Sequence, residues 1–287
     1  MQLVAHVTNA WTPLISAALL RSCHRQTDGG RPPRREASSV QIAIVVPVIY
    51  SDGLIEKVKQ EYDNAASSGV DLSYACLEHG THTIESDFDM ALAQPDTIRL
   101  CQKAEKDGAQ AAVITCFGDP GGVAAKETTN IPIVGEGEAA LHVAGLLAPR
   151  FSIVTVRQNT VPFMIGVAER VGLGPRLRSV RAVEAGVMDF TREHIDEVVE
   201  QAAAAVVDDG AEAIVMGCTG VGADMCPTIE MRLTERVGSY VPVIDPVRCA
   251  ISVAELCVRH GYRPSKRAYP TPPEERPEYR WAADLLG

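Results

Sequence analysis

The sequence predicts an α/β fold of two similar lobes on mainly parallel sheets, related by a pseudo-twofold, with a site in the cleft between them. Three observations lead there. Short apolar, β-branched runs alternate with amphipathic segments along residues 41–261, as strands covered by helices on both faces do. The order of elements in the first half recurs in the second. Within that order, a sixteen-residue segment occurs twice, at 107–122 and at 209–224.

In the first lobe, QIAIVVPV (41–48) is an unbroken apolar run of the length of a buried strand. Residues 52–67 form an amphipathic helix with Leu54, Val58, Tyr62 and Ala65 on one face. DLSYACL (71–77) is a second strand, and residues 95–107 a helix with Pro95 in its first turn. AAVITCF (111–117) and IPIVG (131–135) are the third and fourth strands, and residues 138–148 the next helix. In the second lobe, FSIVTV (151–156) is a strand, residues 160–171 a helix, RAVEAGV (181–187) a strand and residues 191–208 a helix capped by Thr191. AIVMGCT (213–219) and VPVIDP (241–246) are strands, and residues 249–261 form the last helix.

The domain plan follows. Residues 1–39 have a linker composition over 24–39 and are expected to be a disordered extension. Residues 40–146, joined by about 247–265, make the first lobe, 147–246 the second, and 266–287 a tail. Residues 10–20 are apolar, but Pro13 interrupts them and the basic stretch RPPRRE comes after them, which argues against a secretory signal. No apolar run reaches the roughly 20 residues of a membrane span.

A net charge of −10 and 5% aromatic residues argue against nucleic-acid binding, which wants a basic stripe and stacking rings. The eight cysteines include no CxxC pair, and no HExxH-type spacing is present, so neither a zinc ribbon nor another metal site is expected. Scattered thiols in a chain of 287 residues read as reduced and cytoplasmic.

DGAQAAVITCFGDPGG (107–122) and DGAEAIVMGCTGVGAD (209–224) match at seven of sixteen positions, including Cys116 with Cys218 and Gly118 with Gly220. Each cysteine ends an apolar strand just before a glycine-containing turn, where open α/β sheets bind ligands. Two such lobes face to face put the thiols on opposite sides of one cleft. A reaction that removes a proton from one face of a carbon and returns one to the other face needs two acid/base groups so placed, one starting as thiolate and one as thiol. Turn N–H groups at 116–118 and 218–220, among them those of Phe117, Gly118, Thr219 and Gly220, would stabilise a thiolate or a developing oxyanion. Cys23, Cys76, Cys101, Cys226, Cys249 and Cys257 are read as small core residues. Asp119 and Asp224 are read as caps of following helices.

IESDFDMALAQP (84–95), ITCFGDPGG (114–122), FSIVTV (151–156), MGCTGVGAD (216–224) and HGYRPSKR (260–267) resemble the aspartate/glutamate/hydantoin racemase superfamily, and within it the hydantoin (allantoin) racemase family, over about residues 41–267. The resemblance implies two Rossmann-like lobes, cofactor-free proton transfer by Cys116 and Cys218, a small-molecule substrate and a homo-oligomer. It brings Glu85 and Ser86 to the site through the first of those segments. The family's first strand ends in an Asn-Pro-Asn-Thr type turn; here VVPVIYSD (45–52) keeps Pro47 but not the Asn or Thr, which leaves Tyr50 and Ser51 to line the site. Thr155, at the end of the strand that opens the second lobe, is positioned to donate to the substrate. His79 and His82, in EHGTHTIES, belong either to a lid or to a solvated loop. Racemisation of a 5-substituted hydantoin or a related ring such as allantoin is the activity implied. An Asp/Glu-type amino-acid racemase, a maleate-type isomerase, a malonate decarboxylase and a non-catalytic ligand-binding protein are the alternatives.

Overall fold

The computed structural model describes residues 39–187, 189–221 and 225–273. β1 (Val40–Ile49), β2 (Val70–Leu77), β3 (Ala111–Ile114) and β4 (Ile133–Gly135) form one sheet in the order β2-β1-β3-β4. β5 (Phe151–Thr155), β6 (Leu177–Ala182), β7 (Ala213–Met216) and β8 (Val243–Ile244) form a second in the order β6-β5-β7-β8. Every pairing is parallel, so the strands must be separated by crossovers. These are α1 (Asp52–Ala65), α2 (Asp87–Lys106) and α3 (Gly122–Thr128) in the first lobe, and α5 (Val161–Arg170), α6 (Ile195–Val207) and α7 (Cys226–Val237) in the second. α4 (Glu136–Leu147) leads from β4 towards β5. α8 (Pro246–His260), capped by Asp245, returns from β8 to pack on α4, α1 and the first sheet. The two α/β lobes therefore share one topology.

The ladders explain where the two cysteines fall. β3 pairs with β1 from Ile42↔Ala111 to Val45↔Ile114, and its last bond is Thr115 N–H to Val45 O at 3.0 Å. β7 pairs with β5 up to Val154↔Met216, and its last bond is Gly217 N–H to Val154 O at 2.8 Å. Each chain leaves its sheet one residue before the cysteine. Pro47, which has no N–H, lies where the β1–β2 ladder slips between Val46 and Ile49.

Several expected elements differ. The helix expected at 95–107 begins at Asp87, because Ser86 caps it by accepting from Asp89 N–H at 3.2 Å. Pro95 lies inside that helix rather than in its first turn. The strand expected at 181–187 is 177–182; Val183 and Ala185 are buried in the loop that follows, and their apolarity shifted the expectation. The cysteine strands are shorter than expected, with Cys116 and Cys218 in turns. α3 and α7 are additional helices. α7 carries a proline near its start and left-handed Gly238 (φ 75°) at its end, both ordinary boundary signals. Among the described residues, no helix is long and apolar enough to cross a membrane.

Candidate active site

A cavity of about 370 Å³ sits at the carboxyl ends of β1, β3, β5 and β7, a size suited to a small molecule. Pro47 and Ser51 line it from the end of β1 and the start of α1, and Cys116, Phe117 and Gly118 from the turn after β3. Thr155 lines it from β5, and Cys218, Thr219 and Gly220 from the turn after β7. Both thiols therefore reach one cavity from different sheets. The Thr155 hydroxyl is buried and shares a 2.9 Å hydrogen bond with that of Thr160. An apolar wall of Val46, Val48, Ile84, Phe163 and Met164 completes the chamber.

Three expected lining residues lie elsewhere. Tyr50, just past the end of β1, is 61% exposed, is not among the cavity-lining residues and turns its hydroxyl to Asp52. Ser86 is spent on the α2 cap, donating to Asp89 Oδ2 at 2.8 Å. Glu85 ties the loop after β2 to the second lobe. Its Oε1 accepts from Val187 N–H at 3.1 Å and its Oε2 meets Arg157 Nε at 2.9 Å. The neighbouring His82, Thr83 and Ile84 do line the cavity, so this loop roofs it, whereas the His79 side chain faces solvent. Cys23 and Asp224 lie outside the described residues. Cys101, Cys226 and Cys249 are buried and Cys76 and Cys257 half-buried.

The two thiols are not electrostatically equal. Burial raises Cys116 far above the ordinary thiol range, and Glu136, Asp119 and Cys218 push it further; the Gly118 N–H opposes them. Burial pushes Cys218 up only to about 11, opposed by the Gly220 N–H, which donates to Sγ at 3.3 Å, and by the Lys57 ammonium. Lys57 extends from α1 to donate to the Gly220 carbonyl at 2.9 Å. A negative charge on either sulfur disfavours one on the other, the condition for a thiolate–thiol pair, and Cys218 is the easier of the two to ionise.

The first turn is seated on the start of α4. Asp119 has a left-handed backbone (φ 53°), which Asp tolerates better than most residues. It caps α4 rather than the α3 that follows it, accepting from Gly137 and Glu138 N–H, both at 2.9 Å. Burial raises its carboxyl to about 7, while Arg170 opposes the rise. This close seating needs glycines. A Cβ at Gly135 would stand 2.1 Å from Asp119 Oδ1, and one at Gly137 2.1 Å from the Phe117 carbonyl oxygen. Lys57, Glu61 and Glu136 are polar groups at this site that the motifs did not reveal. Glu61 lines the cavity and Glu136 is fully buried beside it. Among the described residues, no group of three or more His, Cys, Asp or Glu is arranged to hold a metal ion.

Comparison with known proteins places this architecture. The family model described as Asp/Glu/Hydantoin racemase matches residues 51–254. The chain is 38% identical over 231 residues to the hydantoin racemase of Paenarthrobacter aurescens, covering 79% of this chain and 95% of that protein. It is 35% identical over 228 residues to the hydantoin racemase of Pseudomonas sp. (strain NS671), covering 78% and 88%. Among solved structures, an allantoin racemase from Klebsiella pneumoniae superposes with a TM-score of 0.73 at 29% identity, over 85% of this chain and 99% of that one.

Proposed function

The chain belongs to the Asp/Glu/hydantoin racemase family, and on that premise we propose that it racemises a 5-substituted hydantoin or a related ring such as allantoin, without a cofactor, using Cys116 and Cys218 as the paired acid and base. The observation that carries the reading is the convergence of both thiols on one cavity from the ends of equivalent strands. In one direction the Cys218 thiolate takes the C5 proton. The C–H electron pair moves into the adjacent carbonyl as an enolate, and the Cys116 thiol delivers its own proton to the opposite face. The products are the inverted ring, a Cys218 thiol and a Cys116 thiolate. The other enantiomer runs the same steps backwards. The turn amides that hold the sulfurs, and the Lys57 charge at the second turn, offset the negative charge that passes between them. We place the enzyme in the cytoplasm, where its thiols stay reduced, as a homo-oligomer like that implied by its family.

The test is proton NMR of single enantiomers in deuterated water, with 5-benzyl- and 5-isopropylhydantoin, allantoin, aspartate, glutamate and maleate as substrates. Loss of the C5 proton signal with inversion is expected for the hydantoin rings or allantoin. Activity confined to the amino acids or the diacid would contradict the proposal.

The unequal thiols give a second expected outcome. A thiol whose pKa is raised is alkylated faster as pH rises, about tenfold per unit while it stays mostly protonated. Iodoacetamide should therefore inactivate the enzyme increasingly from pH 7 to 10, with substrate protecting. Peptide mass spectrometry should find label on Cys218 before Cys116. The reverse order would contradict the assignment of Cys218 as the more ionisable group.

A further inference from the structure

Glu136 opens α4 and is wholly buried. Its Oε1 accepts from the Thr115 hydroxyl at 2.8 Å and from the Tyr62 hydroxyl at 2.6 Å, and its Oε2 from the Thr219 hydroxyl at 2.5 Å. Thr115 immediately precedes Cys116, and Thr219 immediately follows Cys218. One carboxyl group thus holds both cysteine turns, which belong to different sheets, and anchors them to α1 through Tyr62. Carboxyls are seldom buried without a basic partner, since an apolar side chain fills such a place at lower cost. The geometry points to a different purpose. We infer that Glu136 is a positioning residue that fixes the separation of the two catalytic sulfurs by hydrogen-bonding the neighbour of each. The inference rests on the two-thiol reading of the site.

The titratable groups that act on this carboxyl or feel its charge are Tyr62 from α1, Cys116 from the first turn, Cys218 from the second and Asp245 at the start of α8, while Lys57 and Glu61 line the adjoining cavity. Burial raises the Glu136 carboxyl to about 7, opposed by its three hydroxyl donors, so it is mostly ionised at pH 8, and its negative charge then disfavours a thiolate at Cys116 and at Cys218 alike. It therefore acts on both sulfurs at once, through geometry and through charge.

Two readouts test this, and the second needs no substrate. In full-length enzyme, Glu136→Leu should lower kcat about 100-fold, the scale of an ångström-sized misplacement, with KM within about threefold of wild type. Glu136→Gln should restore most of the loss, because its amide can keep accepting from Thr115 and Tyr62 and can donate to Thr219. Should Glu136→Leu fail to fold, Thr219→Val removes one arm of the clamp and should lower kcat in the same sense. Separately, alkylation by iodoacetamide at pH 8, read by peptide mass spectrometry against Cys257 as internal reference, should be faster at both Cys116 and Cys218 in Glu136→Gln. A folded Glu136→Leu enzyme with unchanged kcat, or a change in KM alone, overturns the inference. So does a Glu136→Gln alkylation pattern that is unchanged or altered at one cysteine only. If both cysteines respond while no hydantoin or allantoin is turned over, the substrate reading falls and the role of Glu136 stands.

Discussion

Replacing either Cys116 or Cys218 by serine is expected to lower kcat/KM for racemisation at least about 10³-fold, the scale of a lost general acid or base, or roughly 4 kcal/mol of transition-state stabilisation. The reason is chemical rather than steric. Serine fills nearly the same volume, so the side chains at 116 and 218 should keep accepting from the N–H groups of Gly118 and Gly220. A hydroxyl, however, is far too weak an acid to ionise where even the thiols are pushed up by burial. The double variant should be no worse than the poorer single, because the pair acts as one unit. Unchanged circular dichroism and thermal midpoint would establish that folding is intact. Racemisation near wild-type level by either folded variant would contradict the assignment.

Gly137→Ala should be the next most damaging change although the residue has no chemistry. Its Cβ would stand 2.1 Å from the Phe117 carbonyl oxygen and 3.0 Å from Val167 Cγ1. The first of these is backbone in the Cys116 turn, so the turn must lift off α4 and strain its bonds from Gly137 and Glu138 N–H to Asp119. Overpacking of this kind costs about 1–3 kcal/mol, which exceeds the roughly 1 kcal/mol alanine gains over glycine within a helix. A shift of about an ångström in a reacting group is enough for a loss of about 100-fold in kcat. Gly166→Ala, in α5 with nothing within 4 Å of its Cβ, is the control. It should leave activity unchanged and raise stability by up to about 1 kcal/mol. Thermal melts and kcat measured on both variants decide the matter; equal behaviour of the two would refute the close-seating argument.

Some of this site could be read directly from residue order, for a physical reason. Cys116 and Cys218 recur in a duplicated segment, and the end of a buried parallel strand is marked by a local change from apolar residues to glycine. The partners of Glu136 are not local: they lie 21, 74 and 83 positions away. Only the folded chain brings Thr115, Tyr62 and Thr219 to one carboxyl, and GEGE alone reads as an ordinary helix start. Lys57 was hidden in the same way, since its partner Gly220 belongs to the other lobe. Tyr50 and Ser86 show the converse. Their neighbourhood in sequence suggests the cavity, but one is exposed with its hydroxyl on Asp52 and the other is taken by the N-cap of α2. β6 is hard to read because this edge strand, paired on one side with β5, is only partly buried and carries two arginines, Arg178 and Arg181. The apolar signal lay instead in the loop after it.

The central claim, two thiols acting on opposite faces of one carbon, is tested most directly by following a single hydantoin enantiomer, or allantoin, in deuterated water at early times. A two-base enzyme draws the incoming proton from solvent-exchanged thiol on the far face. The inverted product should therefore carry deuterium at C5 while the unreacted enantiomer still carries protium. Equal deuterium in product and residual substrate from the first turnovers would mean that one group serves both faces, and would contradict the claim.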